Sequence, residues 1–265
     1  MGSPAERDSS LRHNLTVNSR EKLEIVCAKA WPAVVEEPLG EWTLRWADGF
    51  TGRANSALAV GDPGRPVPDA LAAVCDFAHA RGIPPAVQVL EDSELEREVA
   101  AAGWREQVEH AAGHRVSVLT GPLPSGPSPD AEVLDQATPE WWELAVDTSA
   151  PSSAQRHVVT TGKVGYGVVL ADGTTAGAVR GAVVDDWLHV ARLAVAPEFR
   201  RRGLATTVLR ALADWGRAHG AGKWVLQVAV GNAGALALYS ALGCSEHHRY
   251  RYWGPAPRTC EDRQS

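Results

Sequence analysis

The chain has 265 residues, 45% of them hydrophobic, which is enough for two ordinary domains with their own cores. A net charge of −6 argues against a nucleic-acid partner, and the four cysteines Cys27, Cys75, Cys244 and Cys260, with no C-x-x-C spacing, give neither a disulfide framework nor a metal site. No apolar run reaches the length of a membrane span and residues 1–18 hold no signal-peptide core, so a soluble cytoplasmic protein with no membrane partner is expected.

Residues 1–18 are polar and read as a loose tail, in which Asn14-Leu15-Thr16 matches a glycosylation acceptor by chance. A first unit over 19–120 follows, with a helix over 20–30, strands near 42–46 and 53–60, a helix over 69–81, a strand over 86–90 and a helix over 93–102. The Pro/Gly/Ser stretch 121–130 can hold neither helix nor central strand and reads as a linker. The second unit spans 131–254, before a tail at 255–265. It opens with a short strand near 132–134 and a helix through 146, which Thr138 as N-cap and Pro139 at the first helical position announce. Strands 164–170, 176–184 and 187–195 form a hairpin series with turns at Asp172-Gly173 and Asp185-Asp186. A helix over 204–219 is stopped by Gly220, a strand over 224–230 follows, and a last helix carries Tyr239 to its end at Leu242-Gly243-Cys244.

Arg200-Arg201-Arg202-Gly203-Leu204-Ala205 lies where a strand stops and a helix starts. Such a junction leaves several backbone N–H groups unpaired and adds the positive end of the helix dipole, so it can cradle a diphosphate. Gly203 lets the backbone approach a ligand, Ala205 keeps the first turn free of bulk, and Arg200 can brace the loop or meet an oxygen. Arg201 and Arg202 read either as phosphate contacts or as a solvated face. Asn232 and Tyr239 stand two helical turns apart, so one helix can present both to the same ligand.

The run R-x-x-G-x-A at Arg200, Gly203 and Ala205, and the run N-x-x-A-x-x-x-Y-x-x-x-G at Asn232, Ala235, Tyr239 and Gly243, resemble the GNAT superfamily of acyl-CoA-dependent N-acyltransferases. The resemblance implies an α/β (α+β) fold of two tandem GNAT-like domains, each with a mixed, mostly antiparallel sheet flanked by helices. It implies acetyl-CoA as cofactor, held by the backbone of Leu193, Ala194 and Val195, by the loop from Arg200 through Leu204 and Ala205, and by Asn232. It also implies Tyr239 as general acid toward the CoA sulfur, where the plain alternative is a packed aromatic. The first unit looks like a degenerate copy. Its corresponding loop, 61–68, is rich in prolines without the N–H groups a diphosphate needs, and Val99 falls where the second unit has Tyr239. The stretch 49–56 is similar to one in tandem GNAT proteins, a group that includes non-classical N-acetylglutamate synthases.

An amine attacks a thioester only when neutral, so a proton acceptor is needed. His189, on the strand before the loop where some family members carry a glutamate, is the candidate, acting directly or through water; the alternative is a histidine that only hydrogen-bonds within the sheet. No motif places a cysteine as nucleophile, so direct transfer in a ternary complex is expected. A glutamate-like acceptor needs cations, for which Arg156, Arg180 and Arg192 are candidates, and Gln227 can orient a substrate amide; each is also readable as an ordinary surface or sheet residue. The expected activity is acetylation of a primary amine on a small molecule, an amino acid such as glutamate first. Protein lysine or N-terminal acetylation, and a non-catalytic acyl-CoA-binding sensor, remain as alternatives.

Overall fold

The structure is a computed structural model that describes residues 19–109 and 113–256; the expected tail at 1–18, most of the tail at 255–265, Asn14 and Cys260 lie outside the described residues. Helix α1 (Ser19–Ala30) turns Leu23, Val26, Cys27 and Ala30 inward at helical spacing, with Glu24 buried among them. Strands β1 (Val35–Leu39) and β2 (Trp42–Trp46) form a hairpin, and the chain reaches β3 (Ala57–Leu58) through a loop and a 3-10 turn at Arg53–Asn55. The strand expected over 53–60 is therefore cut short. Asn55 explains this: its Oδ1 accepts from the Ala47 and Gly49 amides at 2.9 and 3.0 Å, and its Nδ2 donates to the Phe50 and Thr51 carbonyls at 3.0 and 2.8 Å. One side chain thus satisfies four backbone groups that a strand ladder would otherwise take.

Helix α2 (Val67–His79), β4 (Val87–Leu90), α3 (Glu94–Ala101), β5 (Trp104–Glu106) and β6 (Arg115–Pro122) follow. β6 runs through Gly121 and Pro122, which pair with Trp224 and Lys223, so the expected linker begins later than its composition suggests. Then come β7 (Ala131–Leu134), α4 (Pro139–Val146), α5 (Ser153–Thr160), β8 (Lys163–Ala171), β9 (Thr174–Val184), β10 (Trp187–Val195), α6 (Leu204–Ala218), β11 (Lys223–Ala229), α7 (Ala233–Ala241) and β12 (Ser245–Pro255). Thr138 caps α4, its hydroxyl accepting from the Trp141 amide at 3.2 Å. Helix α5 was not expected, although Ser152 and Gln155 form a capping box: the Ser152 hydroxyl accepts from the Gln155 amide at 3.2 Å, and the Gln155 Oε1 accepts from the Ser152 amide at 2.8 Å.

The described strands form one 12-stranded sheet in the order β1-β2-β3-β4-β12-β6-β11-β10-β9-β8-β7, with β5 added on β12. The sheets of the two halves are therefore continuous. β6 lies between β11 and β12, and β12 pairs with β6 along its first part and with β4 and β5 along its second. The last strand of each half is embedded among strands of the other. A repeat is visible in the topology, because β3 and β4 are parallel around α2 just as β10 and β11 are parallel around α6.

Helix α6 lays Val208, Leu209, Leu212 and Ala213 against one face of the sheet. It sits close because glycines lie beneath it: a Cβ at Gly181 would be 2.8 Å from Leu212 Cδ1, and one at Gly165 would be 2.7 Å from Trp215 Cε2. On the opposite face Trp31, Trp141, Trp142, Tyr166 and Ala191 are buried together beneath the end of α1 and helices α4 and α5.

Candidate active site

The parallel pairing of β10 with β11 runs only from Trp187↔Lys223 to Val190↔Leu226. Beyond it β10 bulges around Arg192, whose φ of 58° is left-handed, and stays with β9 through Ala194↔Ala178 and Val195↔Gly177. β11 instead follows β6 as far as Ala229↔Val116. The two strands part as a wedge. Leu193, Ala194 and Val195 lie along its β10 side, where the edge toward β11 carries no strand pairing.

Past Val195 the chain turns back into α6. Arg200 braces this turn, its Nε donating to the Val195 carbonyl at 3.1 Å. Arg201 and Gly203 both take left-handed backbone, φ 61° and 80°, a conformation that turns successive amides to one side. Among the described residues no protein acceptor takes the amides from Arg201 through Thr206, and a Cβ at Gly203 would meet nothing within 4 Å. Leu204 and Ala205 form the first turn of α6 above this opening. Unpaired amides, open space and a helix start fit a diphosphate. Arg202 points elsewhere, over the Phe199 ring at 5.4 Å and 3.6 Å from Asp172, as a solvated face would.

Helix α7 begins where β11 leaves the wedge. Asn232 caps it, its Oδ1 accepting from the Ala235 amide at 3.0 Å, so this side chain has a structural task at the position where a cofactor contact was expected. Tyr239 is buried and meets Trp224 edge-on with ring centroids 6.1 Å apart. Burial, with Cys244 nearby, pushes its pKa well above the ordinary phenol value, so the hydroxyl keeps its proton throughout the neutral range.

His189 lies opposite Val225 on the face that α1 covers. It is 0% exposed, and neither ring nitrogen has a hydrogen-bond partner among the described residues. The Gln227 side chain on β11 is its polar neighbour and acts on the ring at longer range than a well-formed hydrogen bond, so both the base role and a histidine held within the sheet fit this position. Burial, then the positive charges of Arg53 and Arg180, hold its pKa well below the usual histidine range and keep the ring neutral.

Arg180 departs from the expected substrate role. Its Nε donates to the Val159 carbonyl at 2.7 Å, Nη1 to the Ala30 carbonyl at 2.9 Å and Nη2 to the Thr161 carbonyl at 3.4 Å. A cation serving helix-end carbonyls is a cross-brace, here between β9 and the ends of α1 and α5, and burial lowers its pKa to about 9. No side of it is open to a substrate. Arg156 also lies away from the wedge, lining a separate cavity of about 570 Å³ with Trp142, Lys163, Trp215 and His219.

Arg192, by contrast, lies over Phe50 at 4.8 Å and over Trp31 at 5.7 Å, and burial followed by Arg53 lowers its pKa to about 10. Gln227 is the first residue of β11 past the apex of the wedge. Its Oε1 accepts from Arg53 Nη1 at 2.7 Å, and its Nε2 donates to Glu24 Oε2 at 3.3 Å. Arg53 stacks on Trp31 at 5.0 Å, and the Trp31 indole N–H donates to Thr51 at 2.9 Å. Among the described residues no carboxylate forms a salt bridge with Arg53 or Arg192. Trp31, Glu24 and His248 were not anticipated from the sequence, and Phe50 and Arg53 were given no site role although the stretch 49–56 stood out by resemblance. The available signals were that stretch and Glu24, a lone acid on the apolar face of a helix.

A family model described as "Probable histone acetyltransferase Rv0428c C-terminal" matches residues 16–253. The curated protein "Uncharacterized N-acetyltransferase YobR" of Bacillus subtilis is 27% identical over 243 residues, covering 86% of this chain and 96% of that one. A solved GCN5-related N-acetyltransferase from Kribbella flavida shares the fold at TM-score 0.68 and 17% identity, covering 93% of this chain and 99% of its own. A tandem GNAT protein from the clavulanic acid biosynthesis pathway does so at TM-score 0.57 and 13% identity, covering 97% and 98%. The chain belongs to this GNAT family of N-acetyltransferases. In this GNAT enzyme the first half does not repeat the cradle: the Asp62 amide donates to Glu41 at 2.6 Å, the Gly64 amide donates to Asp62 at 2.8 Å, and Val99 is fully buried core. Its contribution lies instead in Trp31, Phe50 and Arg53, which it places at the apex of the second half's wedge.

Proposed function

We propose that the enzyme transfers the acetyl group of acetyl-CoA directly to the primary amine of a small molecule that also bears a carboxylate, with an amino acid as the leading class. The observation behind this reading is the pair Arg53 and Arg192, neither of which forms a salt bridge with a carboxylate among the described residues, set over Trp31 and Phe50 beside Gln227. Two guanidinium groups with no close carboxylate, Asp147 acting on Arg192 only from beyond salt-bridge distance, suit an anionic acceptor, and the rings supply apolar walls. Acetyl-CoA supplies an activated acyl thioester. The amides from Arg201 through Thr206 would hold its diphosphate, and the unpaired edge from Leu193 through Val195 lies along the wedge, where its pantetheine arm would run. Tyr239 keeps a proton at its hydroxyl that it would give to the departing thiolate, and His189, held neutral beside Gln227, would take the amine proton.

Release of free thiol from acetyl-CoA, followed with glutamate and other amino acids, an aminoglycoside, a lysine peptide and a peptide with a free N-terminus, tests the proposal. Turnover with amino acids that is lost when their carboxylates are amidated is the expected result. A second reading, protein acetylation, is favoured by the family description and by the "[Ribosomal protein bS18]-alanine N-acetyltransferase" of Salmonella typhimurium, 38% identical over 80 residues, or 30% of this chain. Turnover confined to the peptides would select it. Coenzyme binding without turnover of any amine would select the sensor reading.

A further inference from the structure

His189 is fully buried and its charged form is disfavoured, so a proton that it takes from the amine must be passed on, not kept. A route away from the apex is therefore needed, and a line of titratable groups leads from it across the sheet to solvent. Gln227 on β11, Val118 on β6 and His248 on β12 are lateral neighbours, because Val118 pairs with both of the others. Glu24, lowered onto this row from α1, bridges the strand between them: Oε2 accepts from Gln227 at 3.3 Å and Gln88 at 2.5 Å, and Oε1 meets His248 Nε2 at 2.7 Å. Both side chains of the Glu24–His248 pair are 1% exposed. His248 then meets His247, Nδ1 to Nδ1, at 2.8 Å, and His247 is exposed. Adjacent residues of a regular strand point to opposite faces, so this contact depends on the β-bulge between Glu246 and His248.

We infer that Glu24, His248 and His247 form a proton outlet that carries the acceptor's ammonium proton from the apex of the wedge, across the joint between the two halves, to solvent. The inference rests on the amine-acetylation reading above. An imidazole with a partner on each nitrogen can take a proton at Nε2 and release one from Nδ1, which makes His248 a relay. One proton leaves the amine as it becomes neutral, passes from His189 to the Glu24 carboxylate, which the Gln227 amide holds in place without itself carrying a proton, crosses His248, and leaves from His247 to water, with no net change in any of these groups. The charged and titratable groups around the path are Arg20 and Cys27 on α1, Arg45 on β2, Arg53 in the loop and Tyr250 and Tyr252 on β12. Burial holds Cys27, Tyr250 and Tyr252 protonated, so none competes as a proton acceptor. Burial, then His248 and Arg20, lower the His247 pKa, which favours release to water at neutral pH.

Thiol release by full-length His247→Ala, measured against wild type in a dilute buffer and again with added imidazole, tests this. His247 is exposed, so the variant should fold. Its turnover should fall about tenfold or more in dilute buffer and recover with imidazole, which can enter in place of the missing ring. Glu24→Gln, checked for folding by its melting temperature, should lose turnover that imidazole does not restore, because the gap it leaves is buried. Wild-type turnover in His247→Ala at every buffer concentration, or a deficit that imidazole leaves untouched, overturns the outlet while leaving amine acetylation standing. No turnover by wild type with any amine overturns both.

Discussion

Tyr239 shows how burial can prepare a side chain for one direction of proton transfer. With its pKa raised well above that of an ordinary phenol it can donate and will not ionise in the neutral range, so Tyr239→Phe should lower kcat by about 10²-fold or more while leaving the CoA dissociation constant nearly unchanged. By the same sign, any alkaline fall in kcat near pH 9 belongs to another group. Gly203→Glu should do the reverse and abolish CoA binding, measured by titration calorimetry, because it puts a side chain and a negative charge on left-handed backbone in the anion cradle. These two positions were legible because their chemistry recurs at fixed short spacing. Arg180 was not: an arginine among small strand residues reads the same whether it faces a carboxylate or three carbonyls. Arg180→Ala should cost on the order of 3 kcal/mol in denaturant unfolding, since it removes the brace between β9 and two helix ends and leaves the buried Ala30 carbonyl without this donor, while the Val159 carbonyl keeps only the Tyr166 hydroxyl. Glu24 and His248 were hidden for a different reason, since no local pattern links side chains at opposite ends of the chain.

Helix α6 and the strands beneath it were read almost to their ends, because a strong 3.6-residue apolar pattern and two Asp-containing turns leave few alternatives. Their closeness depends on glycine, and Gly181→Val should destabilise the protein by about 1–3 kcal/mol through a clash with Leu212, seen as a lower melting temperature. The short elements were harder. Helix α5 offers a capping box but few apolar positions, and the expected strand over 53–60 dissolves because Asn55 ties the loop to itself. β12 alternates in the manner of a strand along its second part, yet it opens on three exposed residues, Ser245, Glu246 and His247, before the buried His248, and the bulge at that point breaks the period of two. The residues proposed for the acceptor site and the proton outlet lie at these local irregularities: the bulge around Arg192, the loop held by Asn55 and the bulge beside His248 each place a side chain that regular structure would have pointed elsewhere.

At the level of the chain as a folded unit, the duplication and the proline-rich break were visible in the sequence, but the exchange of closing strands was not, because pairing partners of β6 and β12 are set by contacts far along the chain. The break itself is real as a connection: only 123–130 separates β6 from β7. Cleaving the backbone within that loop should leave the two pieces associated and active in gel filtration and thiol release, whereas residues 19–122 produced alone should fail to fold, since β6 would lose the strands on both its sides. The same weave limits how the enzyme can move. Two lobes joined by a flexible stalk can close on a guest and reopen, but here a single hydrogen-bonded fabric runs from one rim to the other, and bending it would tear backbone pairings in both halves at once. Guests must therefore come and go past side chains and surface turns, and the shape that admits an amine is close to the shape that acetylates it.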